Sequence, residues 1–434
     1  MSLYIKEIRG VVNSEISNEF TSNLGNVIGN FLTPGKEIVV GRDSNKQSQM
    51  IKRSITAGIL AAGINVIDFG VAPIPAVHHG AKNIYNVDVM VTVSASHLHA
   101  DEVAIKIFSD YEISLERHAE KVPWDRIGQT LYTQNHMMDY IDSALKHVDT
   151  DVVKNLAPKI VVDCANGSTV TFLPKILGKL GCETILLGCQ HTGASASKFA
   201  DPTPQSVSLV SNLVKAVGAD MGIALDNDGD RIVFTDENGK IIKDQTVLGI
   251  FAREALLENP KGYVVSSVVT SMSMDEVVSK YGGRIIKTPV DFVLKGTVQN
   301  KAVFGGDEPG MYVFPEFQEC FDAIFSAVKM LEIMCRYNKP LSKLAEDLPE
   351  YPRTMFSVKC EHESKEKTIQ DLKEKMGRIG TLNTVDGVRI DMEDSFILVR
   401  PSRFEPLLRV YIEARSPEKL QKLRSMMEEM LSSV

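Results

Sequence analysis

The sequence predicts an α/β protein: three related mixed-sheet α/β domains followed by a smaller α+β domain. A recurring pattern carries the first part. A helical stretch, a glycine and a short apolar run follow one another at 54–68, at 172–186 and at 274–287. In each copy the glycine (Gly63, Gly181, Gly283) is read as a left-handed cap that ends the helix and releases the chain into a strand. Further apolar runs at 37–40, 159–163 and 263–265 read as strands of the same units, and strands alternating with helices mean mixed α/β domains. The second observation is a change of pattern near residue 351. One helix at 365–376 is followed by strand-like runs at 387–392, 396–400 and 408–414. A last helix is capped by Ser416 with Pro417 at its first position. These shifts set the expected domains at 1–150, 151–245, 246–350 and 351–434. No low-complexity linker separates them, so close packing is expected.

Composition narrows the function. The chain has 434 residues, of which 44% are hydrophobic and 24% charged, an ordinary globular balance. A net charge of -8 argues against nucleic acid as a partner. No apolar run approaches the roughly 20 residues that span a membrane, and the N-terminus does not read as a secretory signal. The expectation is a soluble, cytoplasmic protein. Its six cysteines contain no CxxC pair and mostly lie in apolar segments, which favours reduced thiols over a disulfide framework. A homo-oligomer is compatible with the sequence, which leaves the assembly state open.

Two motifs carry chemistry. Ser94-Ala95-Ser96-His97-Leu98 follows the apolar run 87–91 and precedes an alternating run ending in Lys106, which places Ser96 on a short loop between strands. Asp226-Asn227-Asp228-Gly229-Asp230-Arg231 puts three carboxylates and an arginine in one short loop. Asn227 and Gly229 favour a turn, in which the three carboxylates converge on one cation. Oxygen ligands suit Mg²⁺ or Ca²⁺ rather than zinc. An EF-hand is the competing reading, because Glu237 falls at the twelfth loop position. However, Arg231 occupies the sixth position, where that turn needs glycine, and the flanks 221–225 and 231–235 read as strands. A solvated acidic turn is the plainer alternative. A hydroxyl nucleophile, a carboxylate cluster and scattered basic residues together suggest metal-assisted phosphoryl transfer.

The same motifs resemble the α-D-phosphohexomutase family of phosphomannomutases, phosphoglucomutases and phosphoglucosamine mutases. That family carries a Thr/Ser-Ala-Ser-His-Asn-Pro loop whose second serine is phosphorylated, and an Asp-Gly-Asp-x-Asp-Arg metal loop. Further matches run along the chain: Ile8-Arg9-Gly10, Gly41-Arg42-Asp43-Ser44, the sugar loop Gly305-Gly306-Asp307-Glu308-Pro309-Gly310, and the phosphate loop Arg400-Pro401-Ser402-Arg403-Phe404-Glu405-Pro406 with Arg409. The resemblance implies four domains around a central cleft and reversible movement of phosphate between the 1- and 6-hydroxyls of a hexose phosphate. It implies Ser96, His97, Arg9, Lys106 and Arg231 as catalytic residues. Asp307, Glu308, Gly310, Arg400, Ser402, Arg403 and Arg409 are implied to bind the substrate. One Mg²⁺ is implied on Asp226, Asp228, Asp230 and the phosphorylated Ser96.

Departures from the family pattern cluster on recognition. Leu98-His99 replaces Asn-Pro, Asp307 replaces glutamate, Pro309 replaces Ser/Asn, and Arg403-Phe404 replaces Gly-Thr. Asp291, in Lys287-Thr288-Pro289-Val290-Asp291, stands where glycine is usual. Arg403 is expected either to join Arg400 and Arg409 on a distal phosphate or to point to solvent. Two alternatives follow from these changes: a mutase-like homologue with an altered phosphosugar substrate, and a non-catalytic sugar-phosphate-binding or regulatory protein.

Overall fold

A strand covered on both faces has no solvent side, and Val89–Ala95 is buried at all seven positions. It lies inside a sheet of order Tyr4–Val11, Glu102–Ser109, Val89–Ala95, Glu37–Arg42, Asn65–Val71, Thr130–Tyr132. The first two pairings are antiparallel and the remaining three parallel, so the sheet is mixed. Helices Asn18–Gly29 and Lys46–Ala61 pack Leu24, Ile28, Ile51 and Ile55 onto Ile38, Val40, Val91 and Ile105. The structure, a computed structural model, describes residues 4–96, 99–114, 120–133, 135–190, 202, 204–377, 379–403 and 405–432.

The chain forms two compact units, residues 1–242 with 309–344, and residues 243–308 with 345–434. The first unit holds the sheet above and a second one of order Ile232–Thr235, Met221–Leu225, Lys159–Asp163, Glu183–Leu187. The second unit holds the parallel strands Arg284–Thr288, Tyr263–Ser267 and Phe304–Asp307. It also holds a five-stranded antiparallel sheet of order Arg353–Lys359, Leu407–Ala414, Ser395–Pro401, Val388–Asp391, Thr381–Asn383. Helices Lys365–Met376 and Pro417–Leu431 cover that sheet with Leu372, Met376, Leu423 and Met427. No helix among the described residues is long and apolar enough to cross a membrane.

Gly63 and Gly181 adopt the expected left-handed conformation, with φ of 81° and 74°. In the third copy the cap is Gly282, φ 77°, and not Gly283. Helix Met272–Lys280 stops one residue early, so the first glycine of the doublet takes the turn. A Cβ on Gly283 would sit 2.5 Å from Leu256 Cδ2, so its smallness is used for packing. The helix expected at 54–62 begins earlier, at Lys46. Ser416 caps the last helix by accepting from Lys419 N.

One buried polar cluster joins segments of the first unit that lie far apart in sequence. The Asp322 carboxylate caps helix Ala323–Tyr337 by accepting from Phe325 N at 2.8 Å. It also accepts from Gln318 Nε2 at 2.6 Å and, at 2.8 Å to each oxygen, from Tyr140 Oη. Burial raises the Asp322 carboxyl to about 6, and these donors hold it from rising further. Tyr140→Phe should destabilise the protein by about 1.5–3 kcal/mol, the usual worth of a hydrogen bond to a charged group. Urea denaturation at pH 7.5 checks this, and an unchanged midpoint would show that the cluster does not need the phenol.

Candidate active site and metal centre

Strands Met221–Leu225 and Ile232–Thr235 pair antiparallel with Leu225 opposite Ile232, so residues 226–231 must reverse the chain. Asp226 Oδ1 folds the loop by accepting from Gly229 N at 2.9 Å and Arg231 N at 3.2 Å. Gly229 has φ 81°, and a Cβ there would meet Pro73 and Thr169 at 2.9 Å, so the reversal needs glycine. Three other segments pin the loop: Ile74 N donates to Asp228 O at 2.8 Å, Ala323 N to Gly229 O at 3.1 Å, and Ser168 N to Asn227 O at 2.8 Å.

Asp226, Asp228 and Asp230 are 0%, 3% and 8% exposed, and their ligand oxygens lie within 4.8 Å of one another. Lys106 Nζ donates to Asp230 Oδ2 at 2.7 Å and Asp228 Oδ2 at 3.2 Å. Burial opposes the lysine's charge, but Asp228, Asp230 and Glu7 outweigh it and hold Lys106 well above its ordinary value. Burial, then repulsion from Asp228 and Asp230, pushes Asp226 far up. Asp226 Oδ2 and Asp228 Oδ1 are buried with no hydrogen-bond partner among the described residues. An all-oxygen cluster with orphaned buried acceptors fits a hard divalent cation. Arg231 Nε stands 3.9 Å from Asp230 Oδ1.

Ser96 leaves the end of Val89–Ala95, and Lys106 lies on the antiparallel neighbour opposite Thr92. Ser96 N donates to Glu102 O at 3.2 Å, and its hydroxyl donates to Glu102 Oε2 at 2.8 Å. The buried Asp43 braces the loop from below: Oδ2 accepts from Ala95 N at 2.8 Å and Asn45 Nδ2 at 2.6 Å. Sequence reasoning gave Asp43 and Glu102 no role, although Asp43 lies inside a matched motif. Arg9 forms an ion pair with Glu7 on its own strand. His97 lies outside the described residues, as do Leu98 and Phe404.

Gly310 belongs to the first unit. Its φ is 64°, its carbonyl accepts from Ile232 N at 3.0 Å, and a Cβ would fall 2.2 Å from Ile232 O. The remaining recognition residues belong to the second unit. Asp307 is 1% exposed; Oδ1 accepts from Ser267 Oγ at 2.6 Å and Glu308 N at 2.9 Å, and Oδ2 is buried without a partner among the described residues. Burial raises its carboxyl to about 8. Arg353, unmarked in the sequence, donates to Glu308 Oε1 at 2.7 Å and to Val269 O at 2.9 Å. In the last loop Arg400 pairs with Asp386 at 3.0 Å, Arg409 with Glu405 at 2.7 Å and Arg403 with Asp291 at 3.3 Å. Lys365 Nζ holds the loop from beneath, donating to Ser402 O at 2.7 Å and Glu405 O at 2.6 Å.

The chain is similar to known proteins along most of its length. The three alpha/beta/alpha domains of phosphoglucomutase/phosphomannomutase match residues 3–129, 138–239 and 243–351, and its C-terminal domain matches 355–430. A phosphoglucomutase/phosphomannomutase of Thermococcus kodakarensis is 32% identical over 435 residues, covering 95% of this chain and 94% of the relative. A probable phosphoglucosamine mutase of Pyrococcus horikoshii is 32% identical over 445 residues, covering 98% and 97%. Among solved structures, a phosphoglucomutase/phosphomannomutase family protein from Burkholderia thailandensis superposes with a TM-score of 0.87 at 24% identity, covering 98% of this chain and 96% of that one.

The Asp307 carboxyl yields a pH prediction. Its folded value, about 8, lies above the ordinary 3.8. The folded state therefore keeps a proton that the unfolded chain has lost, and stability falls as pH rises from about 4 to about 8. Asp307→Asn should remove this component and gain stability relative to the parent across that window. Denaturant midpoints at pH 5, 6.5 and 8 check it; parallel profiles for the two proteins would refute the assignment.

Proposed function

The chain belongs to the phosphoglucomutase/phosphomannomutase family and is a hexose-phosphate mutase, an intramolecular phosphotransferase; on that premise we propose that Ser96 carries the transferred phosphoryl group. One observation supports this most. A buried lysine and three buried aspartates occupy the strand neighbouring the serine loop and the turn packed beside it, with acceptor oxygens left over for a cation.

In this reading phosphorylated Ser96 donates to a hydroxyl of a hexose phosphate. The P–O bond to serine breaks as the bond to the sugar oxygen forms, giving a hexose bisphosphate. The bisphosphate turns over, and its other phosphate returns to Ser96. Lys106, fixed on Asp228 and Asp230, and Arg231 beside Asp230 supply positive charge where the phosphoryl oxygens gather charge. Asp226, Asp228 and Asp230 would hold Mg²⁺, which would supply neutralisation of the carboxylates and of charge on the transferring group. Arg400, Ser402, Arg403 and Arg409 are assigned to the phosphate that is not reacting, and Asp307 and Glu308 to the sugar loop.

Ser96→Ala should fold normally, take up no phosphoryl group from a hexose 1,6-bisphosphate, and lose turnover by several orders of magnitude. Intact mass and a coupled mutase assay read the two effects. Full activity in the variant would exclude the covalent route. Chelation of divalent ions should stop turnover and Mg²⁺ should restore it; activity that survives exhaustive chelation would remove the metal from the scheme.

A further inference from the structure

Two of the six cysteines meet where nothing in the mutase reaction requires them. Cys164 follows strand Lys159–Asp163, and Cys189 closely follows the neighbouring parallel strand Glu183–Leu187, with Asp163 opposite Leu187. Backbone bonds tie the two strand ends together: Cys164 N donates to Leu187 O at 3.1 Å, Asn166 N to Gly188 O at 2.5 Å, and Gln190 N to Asn166 Oδ1 at 3.0 Å. Gly188, φ 54°, turns the chain so that Cys189 comes back toward Cys164. There Cys189 Sγ donates to Leu187 O at 3.2 Å, the same oxygen that accepts from Cys164 N at 3.1 Å, so the two cysteines converge on one carbonyl.

The pair is asymmetric. Cys164 is fully buried, whereas Cys189 is half-buried and reachable by a small solute. The hydrogen bond from Cys164 pulls the Cys189 thiol below its ordinary value against the opposing effect of burial. The same contact, reinforced by burial, holds Cys164 well above its own. Cys189 is the more exposed of the two thiols, and the thiolate is the reactive form.

The pair is also wired to the aspartate loop. Cys164 opens the turn 164–169, in which Ala165 and Asn166 are left-handed at φ 49° and 52°. At the far end of that turn Ser168 N and Ser168 Oγ each donate to Asn227 O at 2.8 Å. Gly167 passes so close that a Cβ would lie 2.5 Å from the same oxygen. Asn227 stands between Asp226 and Asp228, so displacement of the turn is transmitted directly to the backbone that carries two of the three carboxylates.

We propose that Cys189 and Cys164 form a peroxide-sensitive dithiol site whose reversible oxidation to a disulfide moves the Asp226–Asp230 loop. The Cys189 thiolate attacks one oxygen of hydrogen peroxide; the O–O bond breaks, hydroxide leaves, and Cys189 becomes a sulfenic acid. Cys164 sulfur then attacks Cys189 sulfur. The S–O bond breaks, the S–S bond forms, and the thiol proton leaves with the hydroxyl as water. In total, two thiols and one peroxide give one disulfide and two waters; sulfur is oxidised and peroxide oxygen reduced. A dithiol reductant reverses the change by exchange through a mixed disulfide. Bonding draws the two turns together, and Ser168, hydrogen-bonded twice to Asn227 O, carries the shift to the aspartate loop.

Treating the full-length protein with hydrogen peroxide and mapping its peptides tests the proposal. The expected result is a Cys164–Cys189 cross-link, with an intact mass lower by two hydrogens, that dithiothreitol removes. In the oxidised protein the Gly229 and Arg231 amides, which close the aspartate loop on Asp226, should exchange with solvent at least about tenfold faster. Cys189→Ser should show neither change, and Cys164→Ser should accumulate a sulfenic acid that dimedone traps at Cys189. Absence of the cross-link, or quantitative cross-linking with unchanged exchange at both amides, would overturn the inference. Hydrogen exchange reads the loop without requiring catalysis, and titration of the reduced protein with Mg²⁺ tests the metal assignment separately.

Discussion

Three carboxylates gathered within 4.8 Å and removed from water are the constraint around which the first unit is built. Such a cluster is costly in isolation, because burial and mutual repulsion both act on the charged forms. Lys106 relieves part of it with two charge-assisted hydrogen bonds from a neighbouring sheet. The rest of the architecture denies the aspartates their escape. Ile74, Ser168 and Ala323 each donate a backbone hydrogen bond to the loop, and Gly229 accepts a conformation that other residues resist. The remaining negative charge suits the loop to a divalent cation.

Much of this was legible in the chain. Three aspartates at alternating positions with Asn and Gly between them announce a turn, and the flanking strands fall where periodicity puts them. The serine loop lies between Val89–Ala95 and Glu102–Ser109 as the apolar runs suggest. Local signals failed where the decision was made at a distance. In the Gly282-Gly283 doublet either residue satisfies the capping rule; Gly282 takes the turn, and Gly283 packs where a Cβ would meet Leu256. Asp43 under Ala95, Arg353 on Glu308 and Cys189 against Cys164 are partnerships across folded segments that no period or spacing encodes.

The altered recognition positions are not independent of one another. Asp291 and Arg403 each stand where the family pattern has glycine, and their side chains pair at 3.3 Å. Both are largely exposed, so the pair contributes at most about 1 kcal/mol. Its significance is complementarity: one substitution supplies the charge that the other neutralises. The shortened Asp307 is similarly accommodated, because Ser267 Oγ and the Glu308 amide come to meet it, while Glu308 is directed onto Arg353.

The last loop carries a different kind of consequence. Arg400, Arg403 and Arg409 already hold Asp386, Asp291 and Glu405. Under the proposed assignment, an arriving phosphate does not fill an empty cationic pocket but exchanges with anions that are in place. Added salt weakens the resident pairs and the incoming one together, so the two effects partly cancel and affinity becomes less sensitive to ionic strength than three arginines alone would make it. Exchange also favours the stronger anion. A singly charged phosphate competes with each carboxylate on nearly equal terms, whereas the dianion, formed above its second ionisation near about pH 6, does not. Under that assignment the loop favours the dianion over the singly charged phosphate.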